Sequence, residues 1–280
     1  MAPAYASAQA SATLTRLVEP VRDSQQSVGR KSRRRTSRIG LALVVAAAIA
    51  AAGCGGGGSD TTAALPATTA TSTTPAAPSA PAATLASTAA RVRRQLRGIP
   101  QQGLVLGRPT APVTIVEYGH FACPECAAVH RDVLPAVISR YVRTGKANLE
   151  FRGIAGETPS RPRDLALATY AASLQRHGWD FLQLAHLRSL ALPPVGERPD
   201  RLASALGLDE GRLASDMARP EWDTQLRAGR SVAAATRMSS FPVFLVRARS
   251  KPGDPFVVLT RPGSVGAFAR AIAKARGAGG

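Results

Sequence analysis

Two cysteines separated by two residues, Cys123-Pro124-Glu125-Cys126, are the spacing in this chain with the most chemistry in it. Such a pair can close a disulfide across one helical turn and reopen it by thiolate attack, which is thiol–disulfide exchange. It can also supply half of a metal cage. His120 and His130 flank it as H-x2-C-x2-C-x3-H, the ligand types of tetrahedral zinc, with Cys126 and His130 on one helix face. No second C-x-x-C accompanies it, and the remaining cysteine is Cys54. Three cysteines are too few for a disulfide-built scaffold, so each needs its own explanation.

Exchange requires a thiolate, and a thiolate is favoured where a strand runs into a helix, because unpaired N–H groups and the helix dipole face the first turn. The flanking sequence provides that junction. Val113 to Tyr118 is a β-branched run suited to a buried central strand, and it ends five residues before Cys123. From Ala127 to Val142 the apolar residues recur at helical spacing, at positions 128, 129, 133, 134, 137, 138, 141 and 142. This geometry makes Cys123 the nucleophile and Cys126 the resolving partner. Ala147 to Ile154 is a second strand candidate, and Leu85 to Leu96 a short helix preceding the first. Residues 159–238 read as helical, punctuated by Pro193-Pro194, Pro199 and Pro220. Two strands, residues 243–246 and 256–259, flank a turn at 251–254, and an amphipathic helix, Val265 to Ala275, follows.

Strand, helix, strand, long helical block, hairpin and helix is the order of an α/β thioredoxin-like fold with a helical domain inserted between the two halves of its core. Residues 111–118 leading into Cys123-Pro124-Glu125-Cys126, followed by Ser240-Phe241-Pro242-Val243-Phe244, resemble the DsbA-like thiol:disulfide oxidoreductases over about residues 103–276. Residues 202–209 resemble a segment of that family's helical insertion. The resemblance implies a redox-active Cys123–Cys126 disulfide and no bound cofactor. It implies that Glu117 is the buried acid relaying protons for the resolving cysteine. Pro242 corresponds to a proline with a cis peptide bond that lies against the active-site disulfide. Pro124, Phe241 and Pro242 would then contact the substrate chain.

This chain departs from the family pattern at three positions. Glu125 stands where strongly oxidising relatives have His, and its charge should raise the Cys123 pKa and lower the reduction potential. His120 stands where many relatives have Asp, and a positive charge on it would partly offset Glu125. Phe241 replaces the usual Thr or Val before the proline. Of the other candidates, His130 alone reads as a surface or packing residue, His177 and His186 as surface residues of the insertion, and Trp179 and Trp222 as packing.

The first fifty residues read as an address. A basic cluster from Arg30 to Arg38 precedes an uncharged run from Ile39 to Ala52, 14 residues long. As a helix this run spans roughly 21 Å, short of the ~30 Å hydrocarbon core, which favours a signal peptide over a membrane span. The sequence Ala51-Ala52-Gly53-Cys54 resembles a bacterial lipobox, with Cys54 as the lipid-attachment residue. The expected organisation is therefore an export region at 1–53, a lipid-attachment cysteine with a Gly/Thr/Ala/Pro linker at 54–84, and a short helix with its lead-in at 85–101. A first half-core at 102–155, a helical insertion at 156–238 and a second half-core at 239–280 complete it. The net charge of +18 divides into +6 before residue 41, −1 to residue 90 and +13 beyond. No basic motif interleaved with aromatics accompanies it, so no nucleic-acid partner is expected. The expected partners are exported polypeptides with thiols or disulfides, a redox partner that resets the cysteines, and the membrane through a lipid anchor or a signal anchor. The expected location is the outer face of the cytoplasmic membrane. The rival reading is a thioredoxin-fold metal carrier or a docking module without turnover.

Overall fold

The computed structural model describes residues 80–189, 197–250 and 256–277. The export region, Cys54, the linker up to residue 79 and the turn at 251–254 lie outside the described residues. No helix among those described is long and apolar enough to cross a membrane.

The β-branched run forms β3 (Val113–Gly119), every residue of which is buried. It is buried because it is central: β4 (Asn148–Gly153) pairs with it in parallel on one side and β5 (Val243–Ala248) antiparallel on the other. Burial on both faces explains why β3 shows no polar alternation. Outside β5 lies β6 (Val257–Thr260), and outside β4 come two strands of two residues each, β2 (Val105–Leu106) and β1 (Gln101–Gln102). The sheet order is β1-β2-β4-β3-β5-β6. The β1–β2 hairpin was not expected from sequence, since two-residue strands carry no detectable periodicity.

The helix expected at 127–142 is divided. Residues Pro124–Asp132 form α2, Leu134–Val137 form α3, and Ile138–Val142 make a π-helical turn. Pro135 supplies a cause, because a proline inside a helix has no N–H and its ring crowds the carbonyl four residues earlier. The turn is closed by the Arg143 N–H on Ile138 O at 2.8 Å. The helix before the sheet, α1 (Ala80–Leu96), starts earlier than the apolar pattern did.

Among the described residues, five helices lie between β4 and β5: α4 (Arg161–Leu174), α5 (Gly178–Ser189), α6 (Pro199–Leu206), α7 (Glu210–Met217) and α8 (Pro220–Ala235). The last helix, α9 (Val265–Ala275), packs on β5 and β6, with Phe268 edge-on to Phe244 at 4.9 Å. One sheet face contributes Ile115, Leu149, Phe151 and Phe244 to the main core, which includes residues of α2, α5 and α9. The other face carries Val116, Tyr118, Val243 and Leu245 under Val232 of α8. On that second face a buried ion pair, Arg152 Nη2 to Glu150 Oε1 at 2.7 Å, sits within β4.

The insertion is bound tightly to the core. At the start of α5, the Trp179 indole N–H donates to Leu104 O at 2.8 Å and the Trp179 backbone N–H to Gln101 Oε1 at 2.9 Å. Trp222 stacks on Tyr170 at 5.3 Å, with ring planes 8° apart. Along α8, Gly229 comes so close to β4 that a Cβ there would stand 2.7 Å from Gly153 O.

Candidate active site

β3 ends at Gly119, a short loop follows, and Cys123 caps α2. Its sulfur accepts the Cys126 backbone N–H at 3.0 Å, and Pro124 occupies a first-turn position where no N–H is needed. Cys123 and Cys126 form a disulfide. Cys123 keeps 5% exposure and Cys126 none, so an incoming thiolate meets Cys123. When the bond opens, the sulfur left at Cys123 faces the free N–H groups of the helix terminus, the placement that stabilises a thiolate.

The Phe241–Pro242 peptide bond is cis. The sheet register pairs Val243 with Tyr118, which places Pro242 beside the end of β3 from which the cysteine loop departs. Phe241 is partly exposed and meets His120 edge-on at 5.3 Å. Pro124 and Glu125 are exposed on the same rim, with the Glu125 carboxylate 4.0 Å from Cys123 Sγ. Burial pulls the His120 pKa below its ordinary value, an effect that the nearby Glu125 only partly opposes. Burial thus disfavours the charge on His120 that would offset Glu125.

Beneath the disulfide lies a polar network the sequence did not reveal. Glu117 is completely buried, and its Oε1 is 2.9 Å from His130 Nε2. His130, also completely buried, places Nδ1 2.7 Å from Gln183 Oε1, while Gln183 Nε2 donates to His130 O at 2.7 Å. His130 is thus neither a surface residue nor simple packing. A methyl group on Gly119 would stand 3.3 Å from Glu117 Oε1 and 3.6 Å from Cys126 Sγ, so the glycine leaves the carboxylate and the inner sulfur facing one small space.

His186, expected on the surface, is completely buried. Its ring stacks on His130 at 4.1 Å and on Phe121 at 4.7 Å. The cause is α5 itself, whose residues are buried on all sides, so no face of it is left for a surface histidine. Burial first, then the neighbouring His130 and His120, hold the His186 pKa well below its ordinary value. Among the described residues, no group bonds either of its ring nitrogens. His177, at the head of α5, does keep its side chain 45% exposed and lies 3.1 Å from Asp180.

Neither possible metal cage fits this geometry. The H-x2-C-x2-C-x3-H ligands do not assemble, because the sulfurs are bonded to each other and both His130 nitrogens face Glu117 and Gln183. Glu117, His130 and His186 do bring donor atoms within 4.8 Å of one another. A metal roughly 2.0–2.1 Å from an imidazole nitrogen must lie in the ring plane. The His130 and His186 planes are stacked 24° from parallel at 4.1 Å, so their lone pairs do not converge on a common point.

Comparison with known proteins identifies the fold. The family model described as Thioredoxin matches residues 100–250. This chain belongs to the thioredoxin family. Among thioredoxin-fold structures, the crystal structure of Wolbachia pipientis alpha-DsbA1 superposes with a TM-score of 0.53 at 19% identity, covering 62% of this chain and 91% of that one. The "Disulfide bond formation protein D" of Bacillus subtilis is 36% identical over 47 residues, 17% of this chain and 21% of that protein. The "Probable disulfide bond formation protein D" of Bacillus cereus is 44% identical over 46 residues, again 21% of its length. The chain therefore matches about a fifth of the length of these curated relatives.

Proposed function

We propose that this thioredoxin-family chain is an extracytoplasmic thiol:disulfide oxidoreductase, working through Cys123-Pro124-Glu125-Cys126 on exported polypeptides. One observation carries the reading: a disulfide closes the first turn of α2, and of its two cysteines only Cys123 keeps any exposure. The names of the Bacillus relatives support it, and the lipobox-like Cys54 supports attachment to the outer face of the cytoplasmic membrane.

A substrate thiolate attacks Cys123 Sγ, a new S–S bond joins substrate to enzyme, and the Cys123–Cys126 bond breaks with Cys126 leaving as thiolate. A second substrate thiolate then attacks the substrate sulfur of the mixed disulfide and expels Cys123 as thiolate. The substrate is oxidised by two electrons and the enzyme reduced by two. In the reverse direction Cys126 resolves the mixed disulfide. A separate redox partner returns the pair to its starting state. Exposed Pro124 and partly exposed Phe241 would flank the bound peptide, with Pro242 at the base.

The test is turnover with a reduced dithiol peptide, alongside insulin reduction. The intact enzyme should exchange disulfides catalytically, and Cys123→Ser should lower the rate by at least about a hundredfold. A wild-type protein that exchanges no faster than free glutathione overturns the reading.

A further inference from the structure

We infer that His130, held in one tautomer by Gln183 from the helical insertion, is a positioning residue that keeps a single exchangeable proton between itself and Glu117 for the inner cysteine, Cys126. This rests on the thiol-exchange reading above and assigns part of the same site. The carbonyl O of His130 can only accept, so the Gln183 amide nitrogen must face it, and Gln183 Oε1 therefore faces Nδ1. An amide oxygen also only accepts, so Nδ1 carries a hydrogen. That leaves Nε2, 2.9 Å from Glu117 Oε1, and one proton in the bond between them. The proton is either on the carboxyl with the imidazole neutral, or on Nε2 with the carboxylate charged. Both side chains are completely buried, so bulk water does not supply the proton directly.

Cys126 shares the space beside Gly119 with that carboxylate. When substrate thiolate breaks the disulfide, Cys126 leaves as an anion next to Glu117, a costly pairing in a buried site. Transfer of the shared proton to Cys126 removes that anion and leaves a carboxylate beside neutral His130. In the reverse step Cys126 returns the proton as it attacks the mixed disulfide. The titratable groups around this pair are His120 and Cys123 in the loop and helix cap, Cys126 on α2 and His186 on α5. Asp180, also on α5, is turned to Gln101 and His177.

His130→Gln keeps a hydrogen-bond donor to Glu117 but has no second basic site. With its amide N–H turned to Glu117 it favours the carboxylate, which has no proton to give. In the reduced full-length protein carrying 13C-labelled cysteine, the Cys126 Cβ titration in this variant is expected to move up by about one pH unit, a tenfold loss of thiolate at a given pH. The pH profile of mixed-disulfide resolution should move with it. Gln183→Leu, which cannot orient the ring, should move both in the same direction. If both variants fold, as judged by circular dichroism, and both curves coincide with wild type, the inference falls. If instead the wild type shows no turnover, the exchange reading has failed.

Discussion

Glu125 puts a carboxylate 4.0 Å from the sulfur that must carry charge during exchange. Like charges at that distance oppose each other even when partly screened, so the thiolate of Cys123 is held back and the disulfide form favoured. Glu125→Gln is expected to lower the Cys123 pKa by about half to one unit and to raise the reduction potential by roughly 15–30 mV. Ultraviolet thiolate absorbance and equilibration with glutathione measure the two, and an unchanged pair of values would show the charge to be fully screened. His186 makes a different prediction. Its pKa is depressed in the fold and ordinary, ~6.5, in the unfolded chain, so protons favour unfolding. Its contribution to stability is complete above about pH 6.5 and is lost as the pH falls toward the folded-state value. His186→Phe keeps a ring between Phe121 and His130 without the unbonded nitrogens. It is expected to add on the order of 1 kcal/mol at neutral pH and to flatten the decline below about pH 6.5, measured by urea unfolding. The cysteines and Glu117 were legible because their chemistry is tied to short-range spacing. His186 and Gln183 were not, since what buries them is a helix packed from more than fifty residues away in sequence.

The elements that position the cysteines were readable where one physical rule dominated. β3 is β-branched from end to end because it is central, and α9 keeps a clean apolar stripe because it covers only one side of the sheet. Where two rules competed, reading by period alone failed. Apolar spacing ran on from residue 127 to 142, but Pro135 lies within it and the segment divides into α2, α3 and a π-turn. Close packing of α8 on β4 depends on a position that has no periodic signature. Gly229→Ala would press a methyl to 2.7 Å from Gly153 O, so the helix must lift off the strand. A loss of about 1–3 kcal/mol is expected, seen as a lower Tm.

For the molecule as a whole, the order of strands and helices carried the thioredoxin fold, since few architectures bracket a helical block with strand–helix–strand and hairpin–helix. What the order concealed is how far the insertion reaches inward. A segment of mostly helical propensity looks like an independent cap, yet α5 carries Gln183 and His186 to within bonding or stacking distance of His130. The two halves of the chain therefore contribute separate atoms to one buried hydrogen-bond chain. It follows that the insertion cannot be exchanged freely: a chimera that borrowed helices without an amide at the position of Gln183, while keeping this β3 and α2, would fold around an imidazole whose tautomer nothing selects. Evolution of specificity in the outer helices would then be confined to the remaining faces, leaving α5 bound to the history of the cysteines.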